Sequence, residues 1–451
     1  MIPWLSGKVI YPLHELMRSR KTFSFYEKML ESQWWSPEHL KEYQLERLKQ
    51  RVADALQKTS GYAKLAGLET SWRPQSLEDL AKLPLLDKTI LGQHRDELVD
   101  RTVPGGPILC STGGSTGQPL HFYFDKRRQA FDKAARMRAH QWFNVRPGDP
   151  EVYVWGAQVE LSSQDRVKRM RDWLTNEMLL SSYDFNAGTI AGFVERIRRF
   201  RPKCIFGYPT GLALLCRLAK DAGIRLDNLD IRAVFCTAEV LQPHQKQLIG
   251  ETFRAPVVNN YGSRDAGFIG HECPHGRMHI TSDNLIVEFI RDGRAALPGE
   301  DGEIVVTHLE NQAMPFIRYR TGDVGQPSDE ICPCGRGLAV MQNVQGRVID
   351  YLVTADGRWM PGLAMTLIIL GIPGIEKYQI VQEELEHVVV KLVEGKGFPA
   401  DGEKRIITGM QARLGNTVRI EIRRELDIPP SASGKHRFVI SRPAQKMAPI
   451  L

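Results

Sequence analysis

The sequence predicts an α/β fold: a large multi-layer N-terminal domain with parallel sheets and a small antiparallel layer, followed by a small α+β C-terminal domain. Two patterns carry the first part. From about residue 150, short apolar runs alternate with helical patterns, as in βαβ units. Between residues 283 and 325 the runs LIVEFI and GEIVVTHL flank the turn-forming RDGRAALPGEDG, which suggests hairpin strands. A third pattern carries the second part: after QGRVIDYL, the strand-like runs KYQIVQ, HVVVKLV and VRIEIRREL alternate with a helical segment around 402–414. The boundary falls near residue 346, giving domains 1–345 and 346–451.

Each element has a local reason. Ser36 followed by Pro37 is a helix start, because a serine side chain caps free backbone N–H groups and proline sacrifices nothing in the first turn. Leu45, Leu48, Val52 and Leu56 then recur at helical spacing, so an amphipathic helix is expected over 37–59. EVYVWGA reads as a strand, 188–200 as a helix, KCIFGYP as a strand, 211–221 as a helix ending before Gly223, and IRAVFCTAE as the next strand. Arg196, Arg198, Arg199 and Arg201 read as the solvated face of their helix.

With 451 residues, 42% hydrophobic and 25% charged, the chain can bury real cores under a polar surface. Its net charge of +7 suits an anionic ligand, but no long basic tail is present and no nucleic-acid partner is expected. MIPWLSGKVIYPL has no uninterrupted apolar segment of signal-peptide type, and the longest apolar run, around Leu363 to Ile372, is too short to cross a bilayer. The expectation is a cytoplasmic protein with no membrane partner. Seven cysteines in so long a chain form no disulfide framework; Cys110, Cys204, Cys216 and Cys236 read as buried thiols. The helical N-terminal region leaves a homodimer open.

The segment STGGSTGQP, Ser111 to Pro119, is the first pointer to chemistry. Gly113, Gly114 and Gly117 permit positive φ and close backbone approach, while Ser111, Thr112, Ser115 and Thr116 can donate hydroxyl hydrogen bonds to phosphate oxygens. It is not the G-x-x-x-x-G-K-[ST] of a P-loop. FGYPT (206–210), CTAEV (236–240), NNYGSRD (259–265), IRYRTGD (317–323), GRVIDY (346–351) and SASGKHR (431–437) follow in order.

In the order and approximate spacing of these segments the chain resembles the adenylate-forming superfamily. Within it, the likeness is to acyl- and aryl-CoA synthetases, the phenylacetate-CoA ligase group and its capsular-polysaccharide-biosynthesis-type relatives. The resemblance implies a reaction in which a carboxylate attacks the α-phosphorus of ATP, pyrophosphate leaves, and a thiol or amine captures the acyl-adenylate. It implies that the 111–117 loop cradles the β- and γ-phosphates, with Thr116 near the metal and Gln118 where many relatives carry lysine. Asp265, where relatives usually have glutamate, would meet Mg²⁺, a hard cation that takes oxygen ligands. Tyr261 would lie against adenine, beside Gly262, with Ala238, Glu239 and Asn260 lining the base pocket. Asp323 would hold the ribose hydroxyls, Arg347 would contact the nucleotide, and Asp350 would be the hinge of the small domain. Lys435 would offset charge between the carboxylate and the α-phosphate in the transition state.

The acid pocket has four aromatic candidates, Trp155, Tyr208, Phe235 and Phe268, each next to a motif. Separately, CPHGRMHI and CPCG supply Cys273, His279, Cys332 and Cys334, a tetrahedral set for a structural zinc ion, with His275 and His271 competing for the fourth place and reduced thiols as the alternative. The combined reading is ATP- and Mg²⁺-dependent activation of a small, in first choice aromatic, carboxylic acid, with transfer to a thiol, CoA first. An amine or carrier-protein acceptor, adenylylation of a deazaflavin, or a nucleotide-binding scaffold without catalysis are the alternatives.

Overall fold

The computed structural model describes residues 2–111, 120–155, 166–347, 351–354, 359–361, 365–366, 368–369, 371–429 and 437–447. Of the expected site residues, Thr112, Gly113, Gly114, Ser115, Thr116 and Gly117, with Gln118, lie outside these, as do Asp350 and Lys435; of Arg347 only the backbone is described.

A short hairpin, β1 (Ile108–Ser111) and β2 (His121–Phe124), brackets the glycine-rich segment. The strands β3 (Glu151–Trp155), β4 (Glu177–Ser181), β5 (Cys204–Gly207), β6 (Ala233–Thr237) and β7 (Val257–Ser263) then lie parallel in the order β4-β3-β5-β6-β7. From β7 the same sheet turns antiparallel through β8 (Gly267–Glu272), β9 (Met278–Ile280), β10 (Leu285–Arg291), β11 (Arg294–Ala295), β12 (Gly302–His308), β13 (Tyr319–Ser328) and β14 (Val340–Arg347). The antiparallel strands are thus the greater share of one twelve-stranded sheet and not a separate small layer. The difference arises because β14 pairs with β9 as well as with β13, so a long-range pairing splices the hairpin region to the parallel strands.

The flanking helices bury their periodic faces. The helix Pro37–Lys58 begins where Ser36 Oγ accepts from the His39 N–H at 3.2 Å, and its Leu48, Val52 and Leu56 are at most 2% exposed against Leu285, Phe289, Ile304 and Val306. Each such side chain contributes about 1.5–3 kcal/mol on burial. Helices Ile190–Phe200, Pro209–Asp221 and Pro243–Phe253 cover Val152, Val154, Ile205 and Val234 of the parallel strands. Arg196, Arg198, Arg199 and Arg201 are exposed. Cys204, Cys216 and Cys236 are fully buried, but Cys110 is only half-buried because β1 belongs to a two-stranded hairpin with one open side.

Further along, β15 (Tyr351–Val353) and β16 (Trp359–Pro361) form a small hairpin. A separate four-stranded sheet comes next, with β17 (Ile375–Glu384), β18 (His387–Glu394), β19 (Arg419–Arg424) and β20 (Val439–Ser441) in the order β19-β18-β17-β20. The helix Gly402–Leu414 packs Ile406, Met410 and Leu414 on this sheet, in a core drawn from residues between Leu352 and Val439.

Candidate active site and metal centre

The parallel strands end together, and the residues just beyond them converge. Trp155 closes β3, Tyr208 follows β5, and Ala238 and Glu239 follow β6, while Tyr261 extends β7 beyond its pairing with β6. Crevices beyond the carboxyl ends of parallel strands are where open α/β sheets bind ligands. Ala238 takes φ +68°, a left-handed conformation that turns the chain sharply out of β6. The turn directs the Glu239 carboxylate to the N-terminus of the helix Pro209–Asp221, where it accepts from the Thr210 N–H at 3.1 Å and the Thr210 hydroxyl at 2.7 Å. That carboxylate caps a helix and offsets its dipole.

On β7, alternation sets neighbouring side chains on opposite faces. Asn260, 2% exposed, pairs its Oδ1 with His271 Nδ1 at 3.0 Å, whereas the Tyr261 hydroxyl donates to Asp323 Oδ2 at 2.8 Å. The structure therefore joins Tyr261 with Asp323 and sends the Asn260 side chain elsewhere. Burial, reinforced by the neighbouring Asp323 charge, holds the Tyr261 phenol well above its usual range, so it stays a donor. Gly262 is required at the bulge just beyond it: a Cβ there would run into the Gly267 carbonyl of β8. Asp323 faces Arg347 across the β13–β14 ladder, which brings the GRVIDY segment to the same place.

Asp265, 4% exposed, accepts from the Tyr319 hydroxyl at 2.6 Å. Its neighbour Arg264 reaches the Ser111 carbonyl at 3.2 Å, and Arg128 donates to the Arg264 carbonyl at 2.9 Å. The stem of the glycine-rich segment is thereby tied to the Asp265 turn. Sequence reasoning misses Arg128, Arg264 and Tyr319, although Arg264 and Tyr319 lie inside the NNYGSRD and IRYRTGD segments. Of the aromatic candidates, Trp155 and Tyr208 sit with ring centroids 4.3 Å apart at the strand ends. Phe235 is fully buried and stacked on His140 at 3.9 Å, a core contact, and Phe268 stacks on His271 at 5.6 Å.

On the side of Asn260, a second group forms. Ligand atoms of Cys273, His279, Cys332 and Cys334 lie within 4.8 Å of one another, with Cys273 Sγ 3.6 Å from Cys332 Sγ and Cys334 Sγ 3.3 Å from His279 Nε2. Among the histidines named, His279 joins the cysteines; His271 faces Asn260. His279 Nδ1 lies 3.1 Å from the Leu338 carbonyl, which leaves Nε2 directed at the thiols as a metal-ligating imidazole would be. Burial drives the His279 pKa down to about 4, so the ring is neutral. Around this group pack Leu40 of the Pro37–Lys58 helix, Trp142 and Val340, and Gln33 ties Trp142 Nε1 at 2.8 Å and Arg336 Nε at 3.1 Å.

This fold is that of solved adenylate-forming CoA ligases, and curated phenylacetate-coenzyme A ligases are among the proteins the chain is similar to. More particularly, residues 352–442 match the family described as the CapK C-terminal domain. Over 374 residues, 81% of each chain, it is 22% identical to Protein CapK of Staphylococcus aureus. It is 26% identical to the phenylacetate-coenzyme A ligase of Thermus thermophilus over 356 residues, covering 76% of this chain and 78% of that one. Among solved structures, a 2-hydroxyisobutyryl-CoA ligase in the postadenylation state superposes with a TM-score of 0.73 at 21% identity, with 93% of both chains covered.

Proposed function

We propose that the protein is an AMP-forming ligase that activates a small carboxylic acid with ATP and passes the acyl group to CoA. The observation that carries this reading is the junction of Tyr261, Asp323 and the Arg347 backbone position: three separate segments meet at the carboxyl ends of the parallel strands, in a fold shared with ligases of that chemistry. A carboxylate oriented by one phenol has lone pairs suited to two ribose hydroxyls. Tyr261 would face the base and the 236–239 turn would border it.

Phosphate recognition falls to the 111–117 loop. Asp265, an acceptor tied to Tyr319, is the oxygen donor that would hold Mg²⁺, whose charge offsets that of the phosphates. Residues 346–451 would form a mobile domain, hinged at Asp350, that brings Lys435 to the reacting carboxylate and α-phosphate. The adjacent Trp155 and Tyr208 rings favour a flat, aromatic acid.

The test is pyrophosphate release from ATP across aryl and aliphatic acids, with and without CoA, for the wild type and Lys435→Ala. Acid-dependent release that falls by two or more orders of magnitude in the variant, as loss of a transition-state charge contact costs about 10²–10³-fold, with acyl-CoA formed only when CoA is added, is expected. Absence of acid-dependent release would sink the reading, and release without thioester would move the acceptor to an amine or carrier.

A further inference from the structure

The N-terminal helical segment is amphipathic the wrong way round for a surface helix. Residues Pro3–Leu5, Ser6–Ile10 and Tyr11–Met17 run on as one helical stretch. Its inner face is small and polar: Ser6, Gly7, Tyr11 and Glu15 are buried. Gly7 packs backbone to backbone on Pro147 and Gly148, where a Cβ on either glycine would overlap the other strand of chain. Ser6 Oγ donates to the Leu174 carbonyl at 2.9 Å. Glu15 accepts from the Thr22 hydroxyl at 2.6 Å, Arg20 at 2.7 Å and Lys133 at 3.0 Å. The segment is therefore docked in one orientation.

Its outer face is apolar. Ile2, Val9, Leu13 and Leu16 fall on one side of a helix, and they are 66%, 44%, 53% and 71% exposed, beside Met17 at 78%. The neighbouring helix Arg166–Leu174, which Ser6 touches, adds Met170 and Trp173, both 59% exposed. Large apolar side chains left exposed along one side of a docked helix mark an interaction site.

Charge selects the occupant. The exposed charges on the first segment are Lys8, Arg18 and Lys21, and its one acidic residue before Glu27 is the buried Glu15. On the helix Arg166–Leu174, Arg171 is paired with Asp172, its Nε donating to Oδ1 at 2.8 Å. An exposed apolar stripe accompanied by Lys8, Arg18 and Lys21, with no exposed acid before Glu27, complements the headgroup region of an anionic bilayer. A second copy would set the same cations against each other.

We propose that this face binds peripherally to the surface of an anionic membrane. No helix among the described residues is long and apolar enough to cross one, and a surface contact requires none. The expectation of no membrane partner rests on the lack of a signal-type or spanning apolar run, and a surface contact uses neither.

The test is co-sedimentation of the full chain with phosphatidylcholine vesicles, with or without phosphatidylglycerol, alongside its solution mass. Binding is expected only with phosphatidylglycerol present. Leu13→Glu with Leu16→Glu should abolish it, and Lys8→Gln with Arg18→Gln should weaken it about fivefold for each charge removed. These side chains are exposed, so unchanged melting temperature and pyrophosphate release separate loss of docking from loss of fold. No binding to either vesicle, equal binding to both, or a dimer dissolved by the leucine substitutions without vesicle binding would each overturn the proposal, the last assigning the face to a second copy.

Discussion

Asp323 offers the sharpest case at the scale of one residue. Its Oδ2 takes the Tyr261 hydroxyl, so the orientation of the carboxylate is fixed before any ligand arrives. In the ribose-binding role we propose for Asp323, pre-orientation lowers the entropic cost of gripping two vicinal hydroxyls. Tyr261→Phe removes only the orienting bond and should weaken ATP binding by about 1 kcal/mol, roughly fivefold. Asp323→Ala removes the acceptor itself and leaves a buried phenol without this bond, so it should cost affinity at least tenfold and lower the melting temperature by several degrees. Calorimetric titration of ATP into both variants checks the order; a Tyr261→Phe effect larger than that of Asp323→Ala would refute the orienting role.

At the scale of elements, the Cys273, His279, Cys332 and Cys334 group links parts that secondary structure alone leaves loose. Cys273 follows β8, His279 lies on β9, and Cys332 and Cys334 precede β14, while Gly337 N–H donates to the Gln33 carbonyl at 3.0 Å beside the start of the Pro37–Lys58 helix. We read the group as a structural zinc site that fastens the N-terminal helices to the sheet. One zinc per chain is expected by elemental analysis. Cys332→Ser should lower that content severalfold and drop the melting temperature, and limited proteolysis should then cut first near residues 33–36. Zinc-free protein after purification and reconstitution in zinc, or a Cys273–Cys332 disulfide, would refute it.

The same scale shows how much is legible in the sequence. The helices Pro37–Lys58 and Gly402–Leu414 are readable because caps and periodicity are local signals. The β14–β9 pairing is not, since ladder partners 60 or so residues apart leave no local mark. Nor is the Glu239 carboxylate on Thr210, 29 residues away, where the motif order alone puts Glu239 in the base pocket. The Cys/His spacing does foretell a cluster, because C-x-C and a histidine offer few other shared geometries; which histidine joins it depends on strand alternation in β8 and β9.

For the whole molecule, the arrangement of cores governs how it should come apart. The N-terminal clusters are built from residues between Leu48 and Met341 and between Val152 and Val257, whereas the last core draws only on Leu352 to Val439. A sheet and helix that close their own core have the makings of an independent cooperative unit. Calorimetry is therefore expected to resolve two transitions, because two-state behaviour holds for single domains and fails where cores are separate. ATP with Mg²⁺ should raise the N-terminal transition, by about 2.7 kcal/mol of apparent stability at a hundred times Kd, since the residues we propose to hold them, Tyr261, Asp265 and Asp323, lie before residue 346. A single transition, moved as one unit by ATP, would mean that the last hundred residues are welded to the rest, and a lysine carried there could not swing away between adenylation and transfer.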